Sequence, residues 1–182
     1  MDFISWLILI LYTACSLLLL LYGLNTYCII HLFLRRRDAH RTSDLETEAH
    51  YAHRFESAAT LPVVTTQIPL FNEINVAERV IRAVAAIDYP KECHEIQVLD
   101  DSNDETVQLV DQVAAELQAQ GYWVNVVRRE DRVGYKAGAL EAGMQLAQGE
   151  FIAIFDSDFV PPAEFLIRTL PHLWSDESYG LV

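Results

Sequence analysis

Asp156-Ser157-Asp158 sets two carboxylates one residue apart, directly after the apolar run Phe151–Phe155. Carboxylate oxygens so spaced are hard donors that can share a divalent cation. Mg2+ or Mn2+ is typically held by one or two of them together with substrate phosphates. Upstream, Gly134-Tyr135-Lys136-Ala137-Gly138 offers an ammonium between two glycines. Lys136 at the start of a helix would attract phosphate together with the helix N-terminus, and the glycines would let a ligand approach the backbone. The chain has eleven arginines and only two lysines, so this lysine departs from its own habit. Asp100 and Asp101, ahead of Ser102, can accept from a ring N–H or a ribose hydroxyl. Phe71, in Pro69-Leu70-Phe71-Asn72-Glu73, and Tyr135 can stack on a base. The ligand these groups suit is a nucleoside diphosphate bound with a divalent cation, without which an acidic protein would repel it. Each cluster also has a plainer use: Asn72 as a helix cap, Asp101 in a turn, Gly138 in packing, Asp156 as a solvated carboxylate.

The elements around these clusters alternate in period. Val63–Ile68 is β-branched and ends at Pro69, which reads as a strand. Val76, Val80, Val84 and Ile87 then mark an amphipathic helix, with Asn75 and Glu78 as a capping box. Glu95–Leu99 is a second strand, followed by a helix capped by Ser102 and Glu105 and closed by Gly121. Trp123–Val127 is a third strand, and Lys136–Gln148 a third helix. Phe151–Phe155 is apolar throughout, as expected at the centre of a parallel sheet. Pro161-Pro162 opens a last helix through Leu166 and Leu170. Four strand–helix units predict an open, doubly wound, mostly parallel α/β sheet. Such sheets bind ligands outside the carboxyl ends of their strands, and each cluster above follows a strand.

The rest of the chain bounds the setting. Of 182 residues, 13 are basic and 26 acidic, a net charge of −13 with no basic stripe, which excludes nucleic acid as a partner. Phe3–Leu34 is 32 residues without a charge, longer than a secretory signal and long enough to span a bilayer. Arg35-Arg36-Arg37 follows and biases that end to the cytosol. The expected layout is a transmembrane anchor over 1–37, a juxtamembrane linker over 38–60, and a cytosolic α/β domain over 61–182. His50 and His53 with Glu48 read as solvated linker, since no third metal ligand is suitably spaced. Cys15, Cys28 and Cys93 form neither a disulfide framework nor a zinc site.

Four segments then carry a resemblance: Gln67–Glu73 (QIPLFNE), Val98–Ser102 (VLDDS), Gly134–Leu140 (GYKAGAL) and Phe155–Phe159 (FDSDF). In order and approximate spacing they resemble the processive family 2 glycosyltransferases. That family has the GT-A fold, a Rossmann-like open sheet, and includes cellulose, hyaluronan and cellulose-synthase-like mannan synthases. The wording is nearest the mannan and glucomannan branch. The resemblance implies a membrane enzyme that transfers hexose from UDP-glucose or GDP-mannose to a growing β-glycan, or to a glycolipid, with inversion. It implies donor contacts from Phe71, Glu73, Asp100, Asp101, Lys136 and Asp156, and a Mg2+ or Mn2+ site at Asp156 and Asp158. The family's general-base motif is not matched: after Asp158 the only acidic residues are Glu164, Asp176 and Glu177. The expectation is therefore an N-terminal, nucleotide-binding fragment, inactive as a polymerase by itself, with its base beyond Val182.

Two rivals use the same residues. In a haloacid-dehalogenase-type phosphatase Asp156 would be the nucleophile and Asp158 the acid/base. That motif belongs on a domain's first strand, and here three strand–helix units precede it. A receiver-like signalling domain would need an acceptor Asp after the third strand, where Arg128-Arg129-Glu130 stands.

Overall fold

The computed structural model describes residues 2–175, 178 and 180–182, with side chains for all of these except 38–40. Asp176 and Glu177, in the acidic tail noted above, lie outside the described residues. The first helix, α1, runs Phe3–Tyr51. The chain divides into two units, 1–47 and 48–182. In the first, α1 has apolar side chains on all sides over Phe3–Arg37, a stretch long and apolar enough to cross a membrane, and its leucines, isoleucines and aromatics are exposed.

The second unit carries the sheet. Two short 3-10 turns, Ala52–Glu56 and Ala58–Thr60, lead into β1, Val64–Leu70. There follow α2 (Ile74–Ala85), β2 (His94–Asp100), α3 (Thr106–Ala119), β3 (Trp123–Val127), α4 (Tyr135–Met144), β4 (Phe151–Ile154) and α5 (Phe165–Ser175). All strand pairs are parallel, and the order is β3-β2-β1-β4. The chain steps outward from β1 to β3, then crosses back to β4 on the other side of β1. That reversal opens a crevice at the carboxyl ends of β1 and β4, the place where such sheets bind ligands.

Alternation decides the two faces. Val64, Ile68, Leu70, Ile96, Val98 and Val124 point one way and join Val80, Ile81 and Val84 of α2, Val110, Val113 and Leu117 of α3, and Leu166 and Leu170 of α5 in one apolar core. The opposite face, under α4, is polar and buried. There Thr65 donates to Glu95 Oε2 (2.6 Å), Asn125 donates to Glu95 Oε1 (2.8 Å), and the Gln67 and Gln97 amides bond to each other (3.0 Å). The N–H of Gln148 donates to Glu95 Oε2 and that of Gly149 to Thr65 Oγ1, both at 2.8 Å. A buried carboxylate costs far too much without partners, and Glu95 has a full set of donors.

Among the described residues the apolar β4 pairs with β1 alone, and its Ile154 is 51% exposed. Two local expectations are corrected. The Asn75–Glu78 capping box does not form: α2 starts at Ile74, behind Glu73, with no side-chain cap. Ser102 does not cap α3 either. Its hydroxyl accepts the Asn72 N–H (2.9 Å), while the Asp104 carboxylate accepts the Thr106 N–H (2.9 Å).

Candidate functional site

The turn after β1 is shaped by Asn72, which takes a left-handed conformation (φ 54°) and exchanges side-chain bonds with Asn103. It ties the β1 and β2 loops together instead of capping α2, and it turns Phe71 and Glu73 toward the crevice. A cleft of about 300 Å3 opens there. Pro69, Leu70, Phe71 and Glu73 line it from β1, Asp101 from β2, Arg132, Lys136 and Ala139 from around α4, and Asp156, Ser157 and Asp158 from β4. Six of the seven residues that the resemblance assigns to the donor or the metal therefore meet in one cleft. The seventh, Asp100, lies beneath it with its side chain fully buried. One oxygen accepts the Ser102 N–H (3.0 Å) and the other the Arg128 Nε–H (2.9 Å), so Asp100 is committed within the protein.

The arginines of the site were not singled out beforehand. Arg128, Arg129 and Arg132 sit on the loop between β3 and α4, and sheet order brings them to the end of β2. Arg129 forms a two-point ion pair with Asp101, whose side chain is 7% exposed. Arg132 lies 4.0 Å from the same carboxylate and lays its guanidinium on the Phe71 ring, 3.2 Å from the centroid. A base stacking on that face of Phe71 meets Arg132 first. Three arginines within five residues after a strand, opposite two adjacent aspartates, are the only sequence signal for this brace. Tyr135 points outward, 69% exposed, and is not among the cleft's lining.

Lys136 lies in the first turn of α4, where the helix dipole disfavours a cation. Its Nζ is paired with the Asp156 carboxylate, both half exposed. The cleft's charged lining is Glu73, Asp101, Asp156 and Asp158 against Arg132 and Lys136, four negative and two positive groups, a formal charge of −2. One Glu73 oxygen is buried without a hydrogen-bond partner.

Among the described residues no three His, Cys, Asp or Glu side chains converge into a closed metal cage. The open pair Asp156 and Asp158 nevertheless fits Mg2+ or Mn2+, which complete their shell with water and phosphate oxygens. Asp101 is already paired with Arg129, and Asp156 already receives a cationic group.

Residues 66–181 match the description "Glycosyl transferase family 2". The chain belongs to that family. It is 42% identical over 125 residues to a probable glucomannan 4-beta-mannosyltransferase of Oryza sativa subsp. japonica, covering 66% of this chain and 22% of the relative. It is 40% identical over 129 residues to a glucomannan 4-beta-mannosyltransferase of Arabidopsis thaliana, covering 69% and 24%. The chain thus spans about a quarter of the length of these curated relatives. Among solved structures it is similar to a Pyrobaculum calidifontis mannosyltransferase in complex with GDP-Man and Mn2+, with a TM-score of 0.55, 26% identity, and coverage of 75% of this chain and 42% of that one. S. aureus TarS residues 1–349 in complex with UDP-GlcNAc share the fold, at TM-score 0.55 and 23% identity over 63% and 32% of the two chains. These neighbours bear out the GT-A α/β class. Family membership also removes the phosphatase and receiver readings of the aspartates.

Proposed function

We propose that this chain is the donor-binding part of a membrane-anchored hexosyltransferase that moves mannose from GDP-mannose to a growing β-glycan with inversion. The observation that carries the reading is the cleft at the β1/β4 crevice, with its charge of −2, two hard carboxylates and one lysine. The mannosyl donor is supported by the names of the plant relatives and by the GDP-Man of the archaeal neighbour. UDP-glucose is the alternative donor, and a glycolipid the alternative acceptor.

On this reading Phe71 and Arg132 flank the base, while Asp101 and Glu73 accept from the nucleoside's N–H and O–H groups. Asp100 holds Arg128 and the loop behind Asp101. Lys136 leaves Asp156 for a diphosphate oxygen, which removes the ammonium from its unfavourable place at the helix start and sets it on an anion. Asp156 and Asp158 would hold Mg2+ or Mn2+, which supplies Lewis-acid neutralisation of the departing diphosphate. The acceptor hydroxyl approaches the anomeric carbon from the face opposite the diphosphate. Deprotonating that hydroxyl needs a base within hydrogen-bond reach, and we assign none to the described residues. Phe3–Arg37 is the proposed span, with Arg35–Arg37 on the cytosolic side where nucleotide-sugars are found.

Calorimetry of the chain in detergent with GDP and UDP, each with Mn2+, Mg2+ or EDTA, tests this. Tight GDP binding only with the cation is expected. Equal affinity in EDTA removes the metal role, and preference for UDP replaces the donor.

A further inference from the structure

The Arg129 side chain is 14% exposed and does not line the cleft, yet its hydrogen bonds join the turn that holds Asp101 to the start of α4 that holds Lys136. Nε donates to Asp101 Oδ1 at 3.0 Å, and Nη2 donates to the other oxygen. Nη1 donates to the Val133 carbonyl (2.8 Å), and Nη2 also to the Tyr135 carbonyl (3.1 Å). The two carbonyls bracket a left-handed pair, Gly134 (φ 75°) and Tyr135 (φ 50°). A tyrosine held there is strained and persists only when its surroundings fix it. Gly138 completes the seat, since a Cβ there would stand 2.1 Å from the Val133 oxygen and 2.7 Å from Arg129 Nη1. Lys136 is the next residue after this bracket.

We infer that Arg129 is a positioning residue that sets Lys136 for the diphosphate by locking the start of α4 to Asp101. The inference rests on the donor reading above. Four directed N–H groups in one plane are what a guanidinium supplies. A lysine at 129 keeps the ion pair with Asp101, and the cleft's charge, but cannot also hold both carbonyls. Arg129→Lys therefore separates geometry from electrostatics.

The test titrates GDP with Mn2+, and guanosine, into the full chain in detergent, and takes the guanosine dissociation constant divided by the GDP dissociation constant as the diphosphate contribution. Lys136→Ala should lower that ratio about tenfold or more, the scale of one charge-assisted hydrogen bond. Arg129→Lys should lower it by a comparable factor with guanosine affinity held within about twofold, which general loosening of the site would not do. Adding Lys136→Ala to Arg129→Lys should then cost little more. Gly138→Ala, which pushes a methyl group against the Val133 carbonyl and the Arg129 Nη1 that donates to it without altering a charge, should give the same pattern and stands in if Arg129→Lys does not fold. A native ratio in Arg129→Lys or Gly138→Ala, or an equal Lys136→Ala loss in both backgrounds, overturns the inference. No GDP binding by the native chain, or no effect of Lys136→Ala in it, refutes the donor reading instead and takes this inference with it.

Discussion

His94 opens β2 and is 3% exposed, with its Nε2 2.8 Å from Thr66 Oγ1 and its ring edge-on to Tyr89. Burial disfavours its charged form and pushes its pKa from 6.5 down to about 4. The unfolded chain takes up a proton on this histidine near pH 6.5, while the folded chain resists until about pH 4. Between those values the unfolded state binds more protons, so stability rises with pH. The contribution is complete above pH 6.5 and is lost as pH falls toward 4. An interval of about 2.5 in pH, at about 1.36 kcal/mol for each, makes the loss about 3 kcal/mol. Urea unfolding of the chain in detergent, followed by tryptophan fluorescence between pH 5 and 8, reads the upper part of it, about 2 kcal/mol between pH 6.5 and 5. The carboxylates Asp104 and Glu116, lowered by hydrogen bonds from Thr106 and Arg82, act with the same sign but only below their ordinary values of 3.8 and 4.5. The window above pH 5 therefore isolates the histidine. His94→Gln should flatten the slope there whatever it does to stability at pH 8. An unchanged slope in His94→Gln, or no slope in the native chain, would show that this ring is not held neutral by burial.

Three further outcomes are expected. Glu95→Ala leaves the Thr65 hydroxyl, the Asn125 amide and the Gln148 N–H without their acceptor, and should lower unfolding free energy by about 2–4 kcal/mol in the same urea assay. Asp158→Asn should abolish the stimulation of GDP binding by Mn2+ while sparing guanosine, read by calorimetry. In a chain lacking its own three cysteines, Asp2→Cys should be labelled by an impermeant thiol reagent from outside and Leu45→Cys only after the membrane is opened; the reverse pattern inverts the proposed orientation.

The strand-end clusters were legible because each breaks a regular apolar period with groups that a turn alone does not require. Parallel topology then gathers any such groups at one edge, so Phe71, Glu73, Asp101, Lys136, Asp156 and Asp158 could be associated without knowing the strand order. What depended on that order was hidden. Arg128 and Arg129 are remote in sequence from Asp100 and Asp101 and face them only because β3 lies beside β2. The same ignorance hid that the Asp100 carboxylate takes the Ser102 N–H and Arg128 as its partners. Helix starts slipped for a local reason: Asn72 and Ser102 have good capping chemistry but spend it on each other's loops.

The polar face beneath α4 has a consequence for how the strands align. Apolar alternation on the opposite face forbids a slip of one residue, because every side chain would change sides. It tolerates a slip of two, since Val64, Ile68, Ile96 and Val98 would still face their helices. The polar ladder does not. With β1 moved two residues one way, Gln97 faces Pro69 in place of Gln67; moved the other way, Gln67 faces Leu99 and Glu95 loses Thr65. Either shift strands a buried amide or carboxylate at a cost of about 1–3 kcal/mol per group. Two residues of strand are about 6.6 Å, enough to carry Asp101 out of the cleft it shares with Phe71. Buried polarity thus excludes the even shifts that the hydrophobic pattern lets through, and it keeps the strand ends level where the cleft residues meet.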